Sequence, residues 1–152
     1  MIKKICFISI VFLLITNCGF SPIYSSNKNQ NINIEIIDYE GDTDINYTIR
    51  SRLMLHKNNE NVKLFKIKIN TKYEKNDLTK DAAGNIESYE LKATSEFSIK
   101  RGDLTRKISI TEKFTMENFS DDFEENNYEK KIKENFAVNI YQKLIIQILQ
   151  IK

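Results

Sequence analysis

The sequence predicts an α/β two-layer sandwich: a mostly antiparallel, mixed four-stranded sheet with two helices on one face, behind an N-terminal signal segment. Three observations predict it. Apolar residues recur at every second position in four stretches and at helical spacing in two others, in the order β-α-β-β-β-α. The alternating stretches keep one side polar, which describes strands with one covered and one wet face. The chain has 152 residues, room for one domain and little more.

The elements follow in order. Ile32, Ile34 and Ile36 alternate, so a first strand of about six residues is expected there. Gly41 separates it from residues 42–57, where Ile45, Ile49 and Leu53 fall at i, i+4 and i+8. That spacing is a helix, with Asp42 or Thr43 as its N-cap. Residues 62–75 return to period two. Phe65, Ile67, Ile69, Thr71 and Tyr73 share one side, and Lys66, Lys68, Asn70 and Lys72 the other. Residues 76–85 read as a polar connection. Tyr89, Leu91, Ala93, Phe97 and Ile99 then alternate, as do Leu104, Ile108, Ile110, Phe114 and Met116, with Gly102 as the hairpin between them.

Two hairpin registers satisfy the apolar pattern. A Gly102-Asp103 loop pairs Phe97 with Ile108 and Leu91 with Phe114, but sets Lys92 opposite Lys113. An Arg101-Gly102 loop pairs Glu90 with Lys113 and Glu96 with Lys107, but leaves Phe97 facing Arg106. The pattern alone does not choose between them, nor does it say whether the first strand is central or at an edge. After an acidic run at 118–127, Ile132, Phe136, Ile140, Leu144 and Ile148 step by four, with Ala137, Ile145 and Leu149 widening the stripe. A long helix, largely buried against the sheet, is expected. Its acidic start suits the positive end of the helix dipole.

Composition narrows the function. Mean hydropathy is -0.44, which excludes a multi-span membrane protein. Net charge is +2, too small to argue for nucleic acid, which calls for a clustered basic face. One His and two Cys exclude nearly every zinc site and most Cys/His nucleophile schemes. No catalytic constellation and no metal site are expected. His56, at the expected end of the first helix, reads as a surface residue rather than a catalytic base. Asp121-Asp122 and Glu124-Glu125 read as a solvated helix start rather than a divalent-cation site, because adjacent residues point apart.

The first residues assign the compartment. Lys3 and Lys4 precede an apolar stretch at 5–15. As a helix it spans about 16 Å, roughly half of a ~30 Å bilayer core, which is the length of a signal segment. An uncleaved anchor is the competing reading. The run Ile15-Thr16-Asn17-Cys18-Gly19 resembles the lipobox of bacterial lipoproteins. That resemblance implies cleavage before Cys18 and acylation of its thiol. Residues 1–17 are then a lipoprotein signal peptide, 18–31 a lipidated N-terminus and tether, and 32–152 a single α/β domain. Cleavage removes two of the 23 basic residues and none of the 21 acidic ones, so the net charge falls to near zero. It also removes Cys6, so no internal disulfide is possible.

The opening of the processed chain, Cys18-Gly19-Phe20-Ser21-Pro22-Ile23-Tyr24, resembles the C-G-F-x-P-[LIV]-Y start of the lipopolysaccharide-assembly lipoproteins of alphaproteobacteria (LptE type). The resemblance implies an outer-membrane, lipid-anchored, periplasm-facing protein that partners and plugs the β-barrel lipopolysaccharide translocon, assists its assembly and binds lipopolysaccharide. It implies no enzyme activity, no nucleic acid and no cofactor beyond the covalent lipid on Cys18. The alternative is an auxiliary lipoprotein of an ABC-type lipid transport system. No lipopolysaccharide-contacting residue transfers from the family. Charge alone nominates Lys100, Arg101, Arg106 and Lys107 at the hairpin tip, and a stripe of Lys63, Lys66, Lys68 and Lys72 on the second strand, as groups suited to a phosphorylated headgroup. An ordinary charged strand face, discouraging edge pairing, is the alternative for each.

Overall fold

Residues 32–57 and 64–151 are described by a computed structural model. The signal segment, the tether, Cys18 and Lys63 lie outside the described residues. Four strands form one sheet in the order β1-β2-β3-β4: β1 (Asn33–Gly41), β2 (Leu64–Lys80), β3 (Ile86–Arg101) and β4 (Leu104–Glu117). β1 lies at an edge and runs parallel to β2; the other pairs are antiparallel. Helix α1 (Thr43–Leu53), continued by a 3-10 turn (Met54–His56), and helix α2 (Asp122–Leu149) cover one sheet face. The predicted α/β sandwich is the observed architecture. No described helix is long and apolar enough to cross a membrane.

β1 is longer than its alternating isoleucines suggest, because a bulge interrupts it. Pairing with β2 slips between Ile36 and Asp38, leaving Ile37 as the extra residue, nearly half exposed. Ile34 and Ile36 face the helices before the bulge; afterwards Tyr39 and Gly41 do, and Asp38 and Glu40 turn to the bare face. Gly41, at φ +93°, ends the strand against Thr71. Asp42 then caps α1: its carboxylate accepts from Ile45 N–H at 3.0 Å, and its other oxygen accepts from Lys133 Nζ at 2.9 Å. One side chain thus fixes both the start of α1 and its position against α2.

The core lies between sheet and helices. Ile45, Ile49 and Leu53 of α1, and Ile132, Phe136, Ile140, Leu144 and Ile148 of α2, bury against Ile67, Ile69, Leu91, Phe97 and Ile99. Thr71 and Ser95 are buried within it. Their hydroxyls satisfy each other at 2.7 Å, which removes the cost of burying either alone.

β2 extends five residues past its expected end. Asn76–Lys80 continue the ladder, and only Asp81 to Asn85 make the turn, closed by Asp81 Oδ1 accepting from Ala83 and Asn85 N–H, both at 2.8 Å. The acidic run serves α2 directly: Asp121 is the N-cap and accepts from Phe123 and Glu124 N–H, and Asp122, Glu124 and Glu125 occupy the first turn.

The β3–β4 hairpin adopts the Gly102-Asp103 loop, with Phe97 opposite Ile108 and Leu91 opposite Phe114. The apolar pairs on the helix-facing side decide the register, because exposed charge pairs contribute only about 0–1 kcal/mol each. The cost falls on the bare face, where Lys92 lies opposite Lys113. Both find partners: Lys113 Nζ is 3.0 Å from the diagonal Glu90, and Lys92 Nζ 3.7 Å from Glu74, directly opposite on β2.

Candidate functional site

The bare sheet face is the first place where side chains from distant sequence positions converge. Strand register arranges them in rows. Asp38, Lys68, Ser98 and Lys107 cross the four strands in one row, and Glu40, Asn70, Glu96 and Ser109 in the next. Together with Ile69, Phe97 and Ile108 they line an open concavity of about 570 Å³. Its charge is mixed. Lys68 pairs with Asp38 at 3.6 Å, as Lys66 does with Glu35 in the preceding row. Such a face can hydrogen-bond a polar surface or a hydroxylated ligand.

The four basic candidates of the hairpin do not form one cluster. Lys100 and Lys107 lie on the bare face, on neighbouring strands, with Lys100 opposite Thr105 and Lys107 opposite Ser98. Arg101 and Arg106 belong to the helix-facing side, in line with Leu104 and Ile99. Arg101 is occupied: its Nη1 donates to Ile151 O at 2.6 Å, and its guanidinium lies 5.3 Å from the Phe65 ring centre. It closes the C-terminal end of α2, where backbone carbonyls lack helical partners. Lys100, Arg106 and Lys107 are exposed, and among the described residues no carboxylate lies within ion-pair distance of them. The lysine stripe divides similarly: Lys66, Lys68 and Lys72 all pair with carboxylates, Lys72 with Glu74 at 2.8 Å.

His56 is not a free surface residue. Its ring stacks on Tyr141 of α2, and Nε2 lies 2.9 Å from the Tyr141 hydroxyl. Burial pushes the imidazole below its ordinary range and raises the Tyr141 phenol. The pair joins the end of α1 to α2.

A polar cluster on the covered side went unnoticed in the sequence. Lys75, on the same side as Tyr73, donates to Glu125 at 2.7 Å and Glu129 at 2.9 Å, and Tyr73 Oη donates to Glu129 at 2.8 Å. Desolvation works against the Lys75 charge, but the two carboxylates outweigh it and hold the ammonium above its usual range. Burial, and then the hydrogen bond to Glu129, raise the Tyr73 phenol. The only sequence signal was Lys75 continuing the odd-numbered side of β2. The cluster pins α2 to β2. Among the described residues no three His, Cys, Asp or Glu side chains gather as a metal site.

No protein-family model matches the sequence, and no curated protein matches it. The fold does have solved counterparts. Rare lipoprotein B from Shewanella oneidensis superposes with a TM-score of 0.54 over 76% of this chain and 98% of its own, at 17% identity. Uncharacterized lipoprotein B from Nitrosomonas europaea superposes with a TM-score of 0.51 over 77% of this chain and 83% of its own, at 14% identity. The chain therefore shares its fold with bacterial lipoproteins.

Proposed function

We propose that this protein is a lipid-anchored outer-membrane lipoprotein that partners and plugs a lipopolysaccharide-translocating β-barrel, assisting its assembly and the insertion of lipopolysaccharide. The observation that carries the reading is a coincidence of two independent features. A Cys18-Gly-Phe-Ser-Pro-Ile-Tyr opening of the lipopolysaccharide-assembly type stands before a domain with the fold of rare lipoprotein B. The surface is compatible. A barrel lumen is polar, and this sheet offers a bare face of Lys, Glu, Asn, Ser and Thr with its charges mostly paired. The role is structural and non-enzymatic, with Cys18 as the acylated residue and no other cofactor. Lys100, Arg106 and Lys107 are the cations free to meet lipopolysaccharide phosphates; Arg101 supports the hairpin from behind.

The test is a mild-detergent pull-down of tagged protein from isolated outer membranes, with the partner identified by mass spectrometry. One large β-barrel protein at near-equal stoichiometry is expected. Recovery of ABC-transport components instead overturns the reading in favour of an auxiliary transport lipoprotein. Unchanged surface lipopolysaccharide after deletion of the gene also overturns it.

A further inference from the structure

We propose that the end of the domain where the described chain begins is a docking surface for an anionic phospholipid bilayer. Strand register brings the start of β1, the start of β2 and the β3–β4 hairpin to one end of the sheet. The Arg101 to Ile151 hydrogen bond brings the C-terminus of α2 there. α1 begins beyond the far end of β1 and runs back, so its 3-10 turn also lies at this end, against β1.

This end is apolar and basic together. Of the thirteen exposed large apolar residues among the described ones, Met54, Leu55, Leu64, Leu104, Ile146 and Leu149 lie here. Leu55 is 81% exposed. Lys57, Lys100, Arg106 and Lys107, all exposed, lie at this end too; the acidic groups near them are Asp103 at the hairpin tip, and Glu35 and Asp38, which pair with Lys66 and Lys68. At the other end of the domain the exposed charges are mostly acidic: Asp77, Glu87, Glu117, Asp122 and Glu124, with Lys80 paired to Asp77 at 3.1 Å. The domain is thus polarised, and an anionic surface attracts one end while repelling the other. Aliphatic side chains and cations at one end match the boundary between phospholipid headgroups and acyl chains.

Chain geometry selects a bilayer as the occupant. Ile32 enters at this same end, and only thirteen residues lie between it and Cys18. Fully extended, that length spans at most about 50 Å. A lipid on Cys18 therefore makes docking an intramolecular event, so weak individual contacts suffice. The proposal rests on the anchor reading to this extent only.

The sequence contains no Trp, so a single indole reports without background. The full chain, purified in detergent, is reconstituted into vesicles of zwitterionic phospholipid with and without phosphatidylglycerol, free of glycolipid. Leu104→Trp places the probe at the proposed surface, and Leu78→Trp, on the opposite arm, is the control; Leu149→Trp is a second probe on another element. With phosphatidylglycerol present, the indoles at 104 and 149 shift to the blue and are quenched by brominated acyl chains, while that at 78 stays water-like. Each basic group contributes about fivefold to such binding, so Arg106→Gln with Lys107→Gln weakens docking about thirtyfold, and high salt mimics the change. Equal emission at 78, 104 and 149 in all vesicles overturns the proposal. So does a blue shift without vesicles that grows with protein concentration, which would mean that a second copy covers this end. The anchor has its own readout, flotation of Cys18→Ser with vesicles lacking anionic lipid, so the two readings fail separately.

Discussion

Gly41 is where a single methyl group does the most damage. Its φ is +93°, and a Cβ built there lies 1.9 Å from Thr71 O, the backbone of the neighbouring strand. That oxygen accepts the Asp42 N–H at 2.9 Å, the bond that turns the chain from β1 into α1. Gly41→Ala must therefore separate the strands at this point. Left-handed backbone costs an L-residue about 1–2 kcal/mol. Losing the Asp42 hydrogen bond adds about 1 kcal/mol. Displacing the Asp42 cap adds about 1 kcal/mol more. The expected destabilisation is about 3–4 kcal/mol. Gly84 and Gly102 isolate the steric part, since both have positive φ and a Cβ at either meets nothing within 4 Å. Their Ala variants pay the backbone term alone, about 1–2 kcal/mol. Urea unfolding followed by far-ultraviolet circular dichroism measures all three. If Gly41→Ala loses no more than Gly84→Ala, the close approach to Thr71 is not what demands glycine.

Four further outcomes are expected. Leu144 is fully buried in α2, and Leu144→Ala opens a cavity costing about 2–5 kcal/mol in the same unfolding assay. Glu90→Gln removes the exposed partner of Lys113 and lowers stability by less than about 1 kcal/mol, despite the facing lysines. His56 ionises less readily folded than unfolded, where its ordinary value is 6.5. Its contribution is complete above that value and is lost as pH falls below it toward the folded value, so urea midpoints drop across that window; His56→Phe flattens this part of the profile. Glu125 is held below its usual range: desolvation opposes its charge, but Lys75 and the Phe119 N–H outweigh that cost. Its contribution is present above the ordinary carboxylate range and lost on acidification below it, and Lys75→Met removes the drop seen in acid titrations followed by circular dichroism.

Much of the architecture was legible because its signals are local. Period-two runs gave β2, β3 and β4, and the Ile45, Ile49, Leu53 and Ile132 to Ile148 steps gave both helices and their buried sides. Asp42 as N-cap followed from its place before the first helical turn. β1 and β2 are longer than their periodicity indicates, for identifiable reasons. The Ile37 bulge breaks the alternation that marks a strand. Residues 76–80 are exposed and, Leu78 apart, polar, so hydropathy hides a ladder that pairing with β3 maintains. The site was less legible. Four basic residues close in sequence suggested one cluster, yet alternation sends Lys100 and Lys107 to one face and Arg101 and Arg106 to the other.

Side-chain periodicity is a property of short stretches, so the amino-acid order was enough for the fold class and the covered side of each element. Tertiary structure decided the rest. It set the hairpin register, chosen by apolar pairs across two strands, and the edge position of β1, which depends on where α1 returns the chain. It also decided which cations are engaged. Lys66, Lys68, Lys75 and Lys133 meet carboxylates, and Arg101 a carbonyl, from other elements, whereas Lys100, Arg106 and Lys107 do not. A charge's partner is a matter of distance in space, and separations of up to 91 residues along the chain close to under 3 Å only when the sheet and helices assemble.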